Sequence, residues 1–409
     1  MIVASARGEA RAGLYVHVPF CATRCTYCDF SSGALSAAAV ERYLGALERE
    51  IERRAPEASG LTFSSVFFGG GTPSALSGRH FRRVWRALQG AFAIAGDAEI
   101  TLEANPESVR AALLEAWAEA GVNRLSMGAQ SFVPEELEAL GRIHPASRPA
   151  EAFGLARAHG FRRLSLDLMF GFPGHGSERW QATVEAALAL EPEHLSAYCF
   201  IPEPGTPLGN AVLRGESALP SSEEQAECYE ALSRWIEPRG YEGYETSNFC
   251  RPHAEARHNL VYWLRRPYLG LGPSAHGLMN GVRYGNHYAL ERWAQALEAG
   301  TSCEAEREIE SEKTIALEVV MLGLRLAAGI DRRDYAAETW RAVERRYAAA
   351  FDRAVAAGRL ERTAHGVRIP RALAFLADDA IAWIEARAEC LATTPIRAAR
   401  GLTVASATS

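Results

Sequence analysis

Apolar and polar positions alternate with two different periods along the first two hundred residues, and the two periods take turns. An apolar run at Leu14 to Val18 reads as a strand. The segment from Ala37 to Arg54 then places Tyr43, Leu44 and Leu47 on one helical face. The strand-like runs "TFSSVFF", "AEITLEA", "VNRLSM", "RRLSLDL" and "EHLSAYC" follow. Between them lie helical stretches at Gly78 to Gln89, Glu107 to Ala120, two pieces up to His159, and Glu178 to Leu190. Six strands alternating with helices imply an α/β fold with parallel strands and right-handed crossovers. Either an open doubly wound sheet or part of a barrel satisfies that pattern.

Beyond Tyr241 the pattern loosens. "PYLGLGPSAHG" reads as a glycine-rich turn returning the chain to the core, and a helical pattern resumes from Glu310 to Leu326. Helices rich in Ala and Arg come next, then "GRLERTAHGVRIP", which reads as a small hairpin. From about residue 386 to 409 periodicity is lost and a flexible tail is expected. The chain therefore divides into a short segment (1–13), an α/β core (14–240), a C-terminal region (241–385) and the tail.

With 409 residues, 48% of them hydrophobic, the chain can bury a large core. Its 44 basic and 50 acidic side chains leave a net charge of -6. That balance argues against a nucleic-acid partner, which calls for a basic stripe. Lys313 is the sole lysine. The sequence shows neither a secretory leader nor an apolar run of bilayer length, so a cytoplasmic location without a transmembrane segment is expected.

The chemistry begins in "HVPFCATRCTYCDF", where Cys21, Cys25 and Cys28 are spaced C-x3-C-x2-C directly after the first strand. Three thiolates can hold a 4Fe-4S cube and leave one iron without a protein ligand. With His17 they would also complete a Cys3His zinc set. Zinc motifs usually pair two knuckles, however, and Cys199, Cys228, Cys250, Cys303 and Cys390 form no second one. The other informative residues also follow strands: the glycine run 69–71, Glu103 and Asn105, Gln130, and "DLMFGFPG". Carboxyl ends of parallel strands are where such folds bind ligands.

The triad, with Tyr27 before its third cysteine, resembles the radical S-adenosylmethionine (SAM) superfamily. There SAM chelates the open iron, and reduction of the cluster releases a 5'-deoxyadenosyl radical. The resemblance implies a partial (βα)6 TIM-type barrel with a mainly helical, winged-helix-like C-terminal domain. It assigns Gly70, Gly71 and Thr72 of "GGGTPS" to SAM's amino group and Glu103 to its ribose hydroxyls. Tyr15, Gln130, Arg142 and Asp167 fall where the coproporphyrinogen-oxidase-like branch contacts one SAM or a second.

Within that branch, "SVFFGGGTPS", "TLEANPES", "NRLSMGAQSF" and "HNLVYW" together resemble the HemW family of haem chaperones. The neighbouring family, oxygen-independent coproporphyrinogen III oxidase (HemN), carries a fourth cysteine where this sequence has Phe30. The resemblance implies a protein that carries haem as cargo, with His258 of "HNLVYW" as candidate haem ligand. Its partners would be recipient haem proteins such as respiratory enzymes, reached in some cases at a membrane surface, and an electron donor for the cluster. The alternative is oxidative decarboxylation of coproporphyrinogen III, so enzymatic turnover stays open.

Overall fold

The computed structural model of the protein describes residues 11–392. Its first strand is β1 (Arg11–Val18), followed within the cysteine loop by a short parallel pair, β2 (Phe20–Cys21) and β3 (Gly33–Ala34). Then come β4 (Thr62–Gly70), β5 (Ile94–Ala104), β6 (Arg124–Gln130), β7 (Arg163–Phe170) and β8 (His194–Cys199). In the order β1-β4-β5-β6-β7-β8 these strands pair in parallel, as the sequence pattern predicts. The crossovers carry α1 (Ala37–Arg54), α2 (Gly78–Ala91), α3 (Ala111–Glu119), α4 (Pro134–Ala139), α5 (Arg148–Ala158) and α6 (Ser177–Ala189).

Side-chain alternation explains the layering. Leu14, Val16, Val66, Phe68, Leu125, Met127, Leu164 and Leu166 are buried in the main apolar core, and Phe68 meets Phe81 of α2 edge-on at 4.9 Å. The intervening positions carry Tyr15, Ser65, Glu99, Thr101, Glu103, Arg124, Ser126, Ser165, Asp167 and Ser196, so the concave side of the sheet is polar. Local signals agree with the packing. Ser36 caps α1 by accepting from the Ala39 amide at 3.2 Å, and the buried Val40, Tyr43, Leu44, Leu47 and Ile51 recur at helical spacing.

The boundary expected at residue 240 falls inside the sheet. After α7 (Pro207–Leu213) and α8 (Ser222–Ile236), the strands β9 (Glu242–Gly243) and β10 (Asn248–Cys250) extend it antiparallel beyond β8. After α9 (Arg257–Trp263), the segment read as a glycine-rich turn is instead β11 (Tyr268–Leu271), parallel to β1. β12 (His276–Met279), β13 (Val282–Asn286) and β14 (Glu304–Ile309) continue that edge, with α10 (Leu290–Glu298) between the last two. The result is an open twelve-stranded sheet.

A second core, built on Val319, Val343, Tyr347, Phe351 and Ile384, belongs to the C-terminal unit. It contains α11 (Glu312–Gly323), β15 (Ile330–Asp331), α12 (Ala337–Ala356), the hairpin β16 (Glu361–Arg362) and β17 (Gly366–Arg368), and α13 (Ala377–Ala392). Three helices on a small three-stranded sheet give it the winged-helix-like character expected of it. The expected tail starts too early: α13 continues through Ala392, and residues 393–409 lie outside the described residues. No helix among the described residues is long and apolar enough to cross a membrane.

Candidate functional site

The cysteine loop leaves β1 at the carboxyl edge of the sheet. His17 anchors it: Nε2 contacts the Ser31 carbonyl oxygen at 2.9 Å, and Nδ1 lies 3.1 Å from the Tyr15 hydroxyl. With both ring nitrogens engaged, His17 is not free to complete a zinc set. Among the described residues, no three His, Cys, Asp or Glu side chains converge closely enough to hold a single metal ion. Cys21, Cys25 and Cys28 are free thiols that line one cavity of about 310 Å³. Thiols spread around a cavity fit a multi-iron cluster better than the tight tetrahedron of zinc.

That cavity also brings together Tyr27, Gly70, Gly71, Thr72, Glu103, Gln130, Arg142 and Asp167. Their contacts form a connected set. Thr72 Oγ1 lies 3.2 Å from Cys21 Sγ and accepts from Asn105 Nδ2 at 3.0 Å. Arg142 donates to Asn105 Oδ1 and the Gly128 carbonyl, each at 2.9 Å, and to Cys25 Sγ at 3.4 Å. A guanidinium there would offset part of a bound cluster's negative charge. Gly70 sits at φ +106°, where a Cβ would lie 2.5 Å from the His17 ring, so only glycine lets the chain pass there.

Glu103 accepts from the Gly70 amide at 3.2 Å. Burial, with Asp167 nearby, pushes its pKa up to about 8, so without a ligand it is mostly protonated at neutral pH. Hydroxyl donors arriving on a ligand would favour its carboxylate form. Asp167 is also raised by burial while accepting from Ser126 at 2.9 Å. Gln130 holds a left-handed backbone at φ +66° and accepts from the Tyr198 hydroxyl at 2.6 Å. A non-glycine residue held there costs roughly 1–3 kcal/mol, and such strain collects at ligand sites. Asn105 stands in the cavity wall as its strand-end position suggests, and Tyr198, near the end of β8, is a wall residue that the same rule could have identified. Ser196, also in the wall, carries no motif.

Tyr15 and His258 lie apart from this cavity's walls. Tyr15 stacks on Phe67, centroids 6.2 Å apart, and on His258 at 6.4 Å. His258, the candidate haem ligand, is enclosed between α9 and the strands β4 and β5. It is 1% exposed. Nδ1 pairs with Ser65 Oγ and Nε2 with the Tyr262 hydroxyl, both at 2.9 Å, and its backbone amide donates to Glu99 at 3.2 Å. Burial lowers its pKa to about 3, so the ring is neutral, and both nitrogens are occupied.

A second cavity, of about 510 Å³, adjoins the first and shares Tyr27, Cys28, Phe30, Tyr198 and Asn248 with it. Its walls are mainly apolar and aromatic, including Phe200 and Trp263, and Phe170 and Tyr229 pack against Phe375, which follows the β16–β17 hairpin, with ring centroids 6.3 and 5.2 Å apart. Met169 and Cys199 add two sulfur atoms, Arg325 is paired with Asp378 on the same wall, and Asp29, Glu203 and Glu245 line it as well. Phe30, at the position of the oxidases' fourth cysteine, is exposed where the cavities meet.

Comparison with known proteins matches residues 15–187 to the radical SAM superfamily and residues 311–372 to the HemN C-terminal domain. The chain is similar to the haem chaperone HemW of Bacillus subtilis, with 36% identity over 332 residues, 81% of this chain and 87% of the relative. It is likewise 38% identical to the Mycobacterium tuberculosis HemW over 321 residues, 78% of this chain and 82% of that one. Among solved structures, Escherichia coli coproporphyrinogen III oxidase (HemN) superposes with a TM-score of 0.79 at 22% identity, covering 93% of this chain and 91% of that one. The fold and the sequence relatives agree: this chain belongs to the HemW family of the radical SAM superfamily.

Proposed function

We propose that this chain carries haem in the apolar cavity and delivers it to recipient haem proteins, with SAM held in the adjoining cavity. The observation that supports it best is the second cavity itself. It is large and largely aromatic-walled, and it is bounded by both the carboxyl edge of the parallel strands and the C-terminal unit. Bound at Cys21, Cys25 and Cys28, a 4Fe-4S cluster would supply an open iron for SAM chelation and an electron when an external donor reduces it.

The chain's own groups set the rest. Arg142 and Thr72 steady Cys25 and Cys21. In this reading Gly70, Gly71 and Thr72 receive SAM's amino group, and Glu103 accepts from its ribose hydroxyls. Tyr27, Gln130 and Asp167 complete the walls, while Tyr15 supports the site from beneath. His258 holds α9 against β4, and it would reach a haem iron only if Nε2 exchanged Tyr262 for the metal.

Haem titration of Phe375→Glu tests the cavity. Phe375 lines it, whereas its neighbour Leu376 is exposed and does not. Losing an aromatic wall worth about 1.5–3 kcal/mol, and gaining a charge, should weaken haem binding about tenfold or more. Leu376→Glu should bind as the parent does. Equal haem affinity in a folded Phe375→Glu protein would place haem elsewhere.

A further inference from the structure

The segment His258 to Trp263 presents two sides, and each side is a pair of residues one helical turn apart. His258 and Tyr262 form the inner pair. They are bonded to each other, and His258 is tied to Ser65 of β4 and Glu99 of β5. Asn259 and Trp263 form the other pair. Asn259 lines the cluster cavity and Trp263 lines the apolar one. Neither side chain has a hydrogen-bond partner among the described residues. The contrast is chemical: the inner polar atoms are satisfied, whereas the Asn259 amide faces a ligand cavity with donor and acceptor both free.

Just past the helix, Arg265 takes a left-handed backbone at φ +52°. It pairs with Glu310 and with Glu318 of α11, and Arg283 of β13 joins the same two carboxylates. The helix is thus held to the sheet at its start and to the C-terminal unit just after its end.

We propose that Asn259 is a ligand contact of the SAM cavity, and that α9 links occupancy of that cavity to porphyrin binding against Trp263. The ligand class is a nucleoside sulfonium, whose ring edges and hydroxyls match a primary amide. Linkage follows from the helix's construction. Asn259 and Trp263 stand one helical turn apart, so a small tilt of α9 about its His258 anchor that brings Asn259 to its ligand also moves Trp263, about 6 Å along the axis. Such coupling is reciprocal: each ligand changes the other's affinity by the same factor. The linkage half rests on the haem reading above, whereas the Asn259 contact does not.

The test uses the full chain, reconstituted anaerobically with its cluster. Haem is titrated with and without saturating SAM, and SAM with and without haem, both read as equilibrium binding. SAM should change the haem Kd by about fivefold or more, and haem should change the SAM Kd equally. Asn259→Ala should weaken SAM about tenfold, roughly the loss of a buried hydrogen-bonded contact, and bring the haem ratio to one. Asn259→Ser repeats the measurement if the alanine variant misfolds. A parental SAM Kd in the folded variant overturns the contact, and equal haem Kd values with and without SAM overturn the linkage. Absence of haem binding under every condition would instead remove the haem reading and with it the linkage, leaving the Asn259 contact to be judged by the SAM titration.

Discussion

Cys25→Ala should empty the cluster site: reconstituted iron should fall from about four atoms per chain to near zero, and SAM binding should fall with it. The reason lies in the donor set. Cys21, Cys25 and Cys28 are the thiols that line the cavity, and a cube left with two protein ligands has lost its third anchor. His17 cannot step in, because its nitrogens are held by Tyr15 and Ser31. Cys25 is also the thiol that Arg142 contacts, so its loss leaves a buried guanidinium short of one acceptor. Cys199→Ser is the matched control, since that thiol lines the neighbouring cavity and not the cluster cavity. Iron and acid-labile sulfide analysis on both proteins reads the outcome. Four irons retained in Cys25→Ala would place the cluster elsewhere.

His258→Ala should cost about 3 kcal/mol of stability. Truncation opens a cavity beneath α9 and strands the Ser65 and Tyr262 hydroxyls, and each mechanism alone costs on the order of 1–3 kcal/mol. The effect carries a pH signature. His258 titrates near 3 when folded, against an ordinary value of 6.5. Between those values the unfolded chain binds the proton and the folded chain does not, so stability is lost as pH falls from about 6.5 toward 3. The alanine variant lacks that increment, and its denaturation midpoint should fall less steeply over the same window. Tyr262→Phe separates structure from ligation. It removes one hydrogen bond, worth about 1 kcal/mol, and frees Nε2. Haem affinity should stay at the parent's value if His258 is structural, and should rise if the ring is an iron ligand restrained by Tyr262.

Much of this was legible in the chain before it folded. Outward apolar positions such as Val66, Phe68, Leu125 and Leu164 alternate with inward polar ones, and that period of two located the six parallel strands. The cysteine spacing, the glycine run and Glu103 announced themselves because each follows a strand end. The extension of the sheet was not legible, since β9 and β10 are only two and three residues long. In β11 a glycine imitates a turn signal. Gly270 sits in the strand because a Cβ there would lie 1.9 Å from the His276 carbonyl oxygen, a contact fixed by tertiary packing rather than by local preference. His258 shows the same limit at the site. Its motif states spacing but not orientation, and the partner that decides its role, Ser65, is 193 residues away in sequence. Asn259, one position on, faces the ligand cavity instead.

The most direct test of the haem-carrier reading is a paired assay on one anaerobically reconstituted sample supplied with SAM and reductant. Haem passed to an apo haem protein and protoporphyrinogen IX formed from coproporphyrinogen III are measured side by side. Haem transfer without protoporphyrinogen IX is the predicted result. Repeated turnover of coproporphyrinogen III with no haem transfer would contradict it and make the chain a porphyrinogen oxidase.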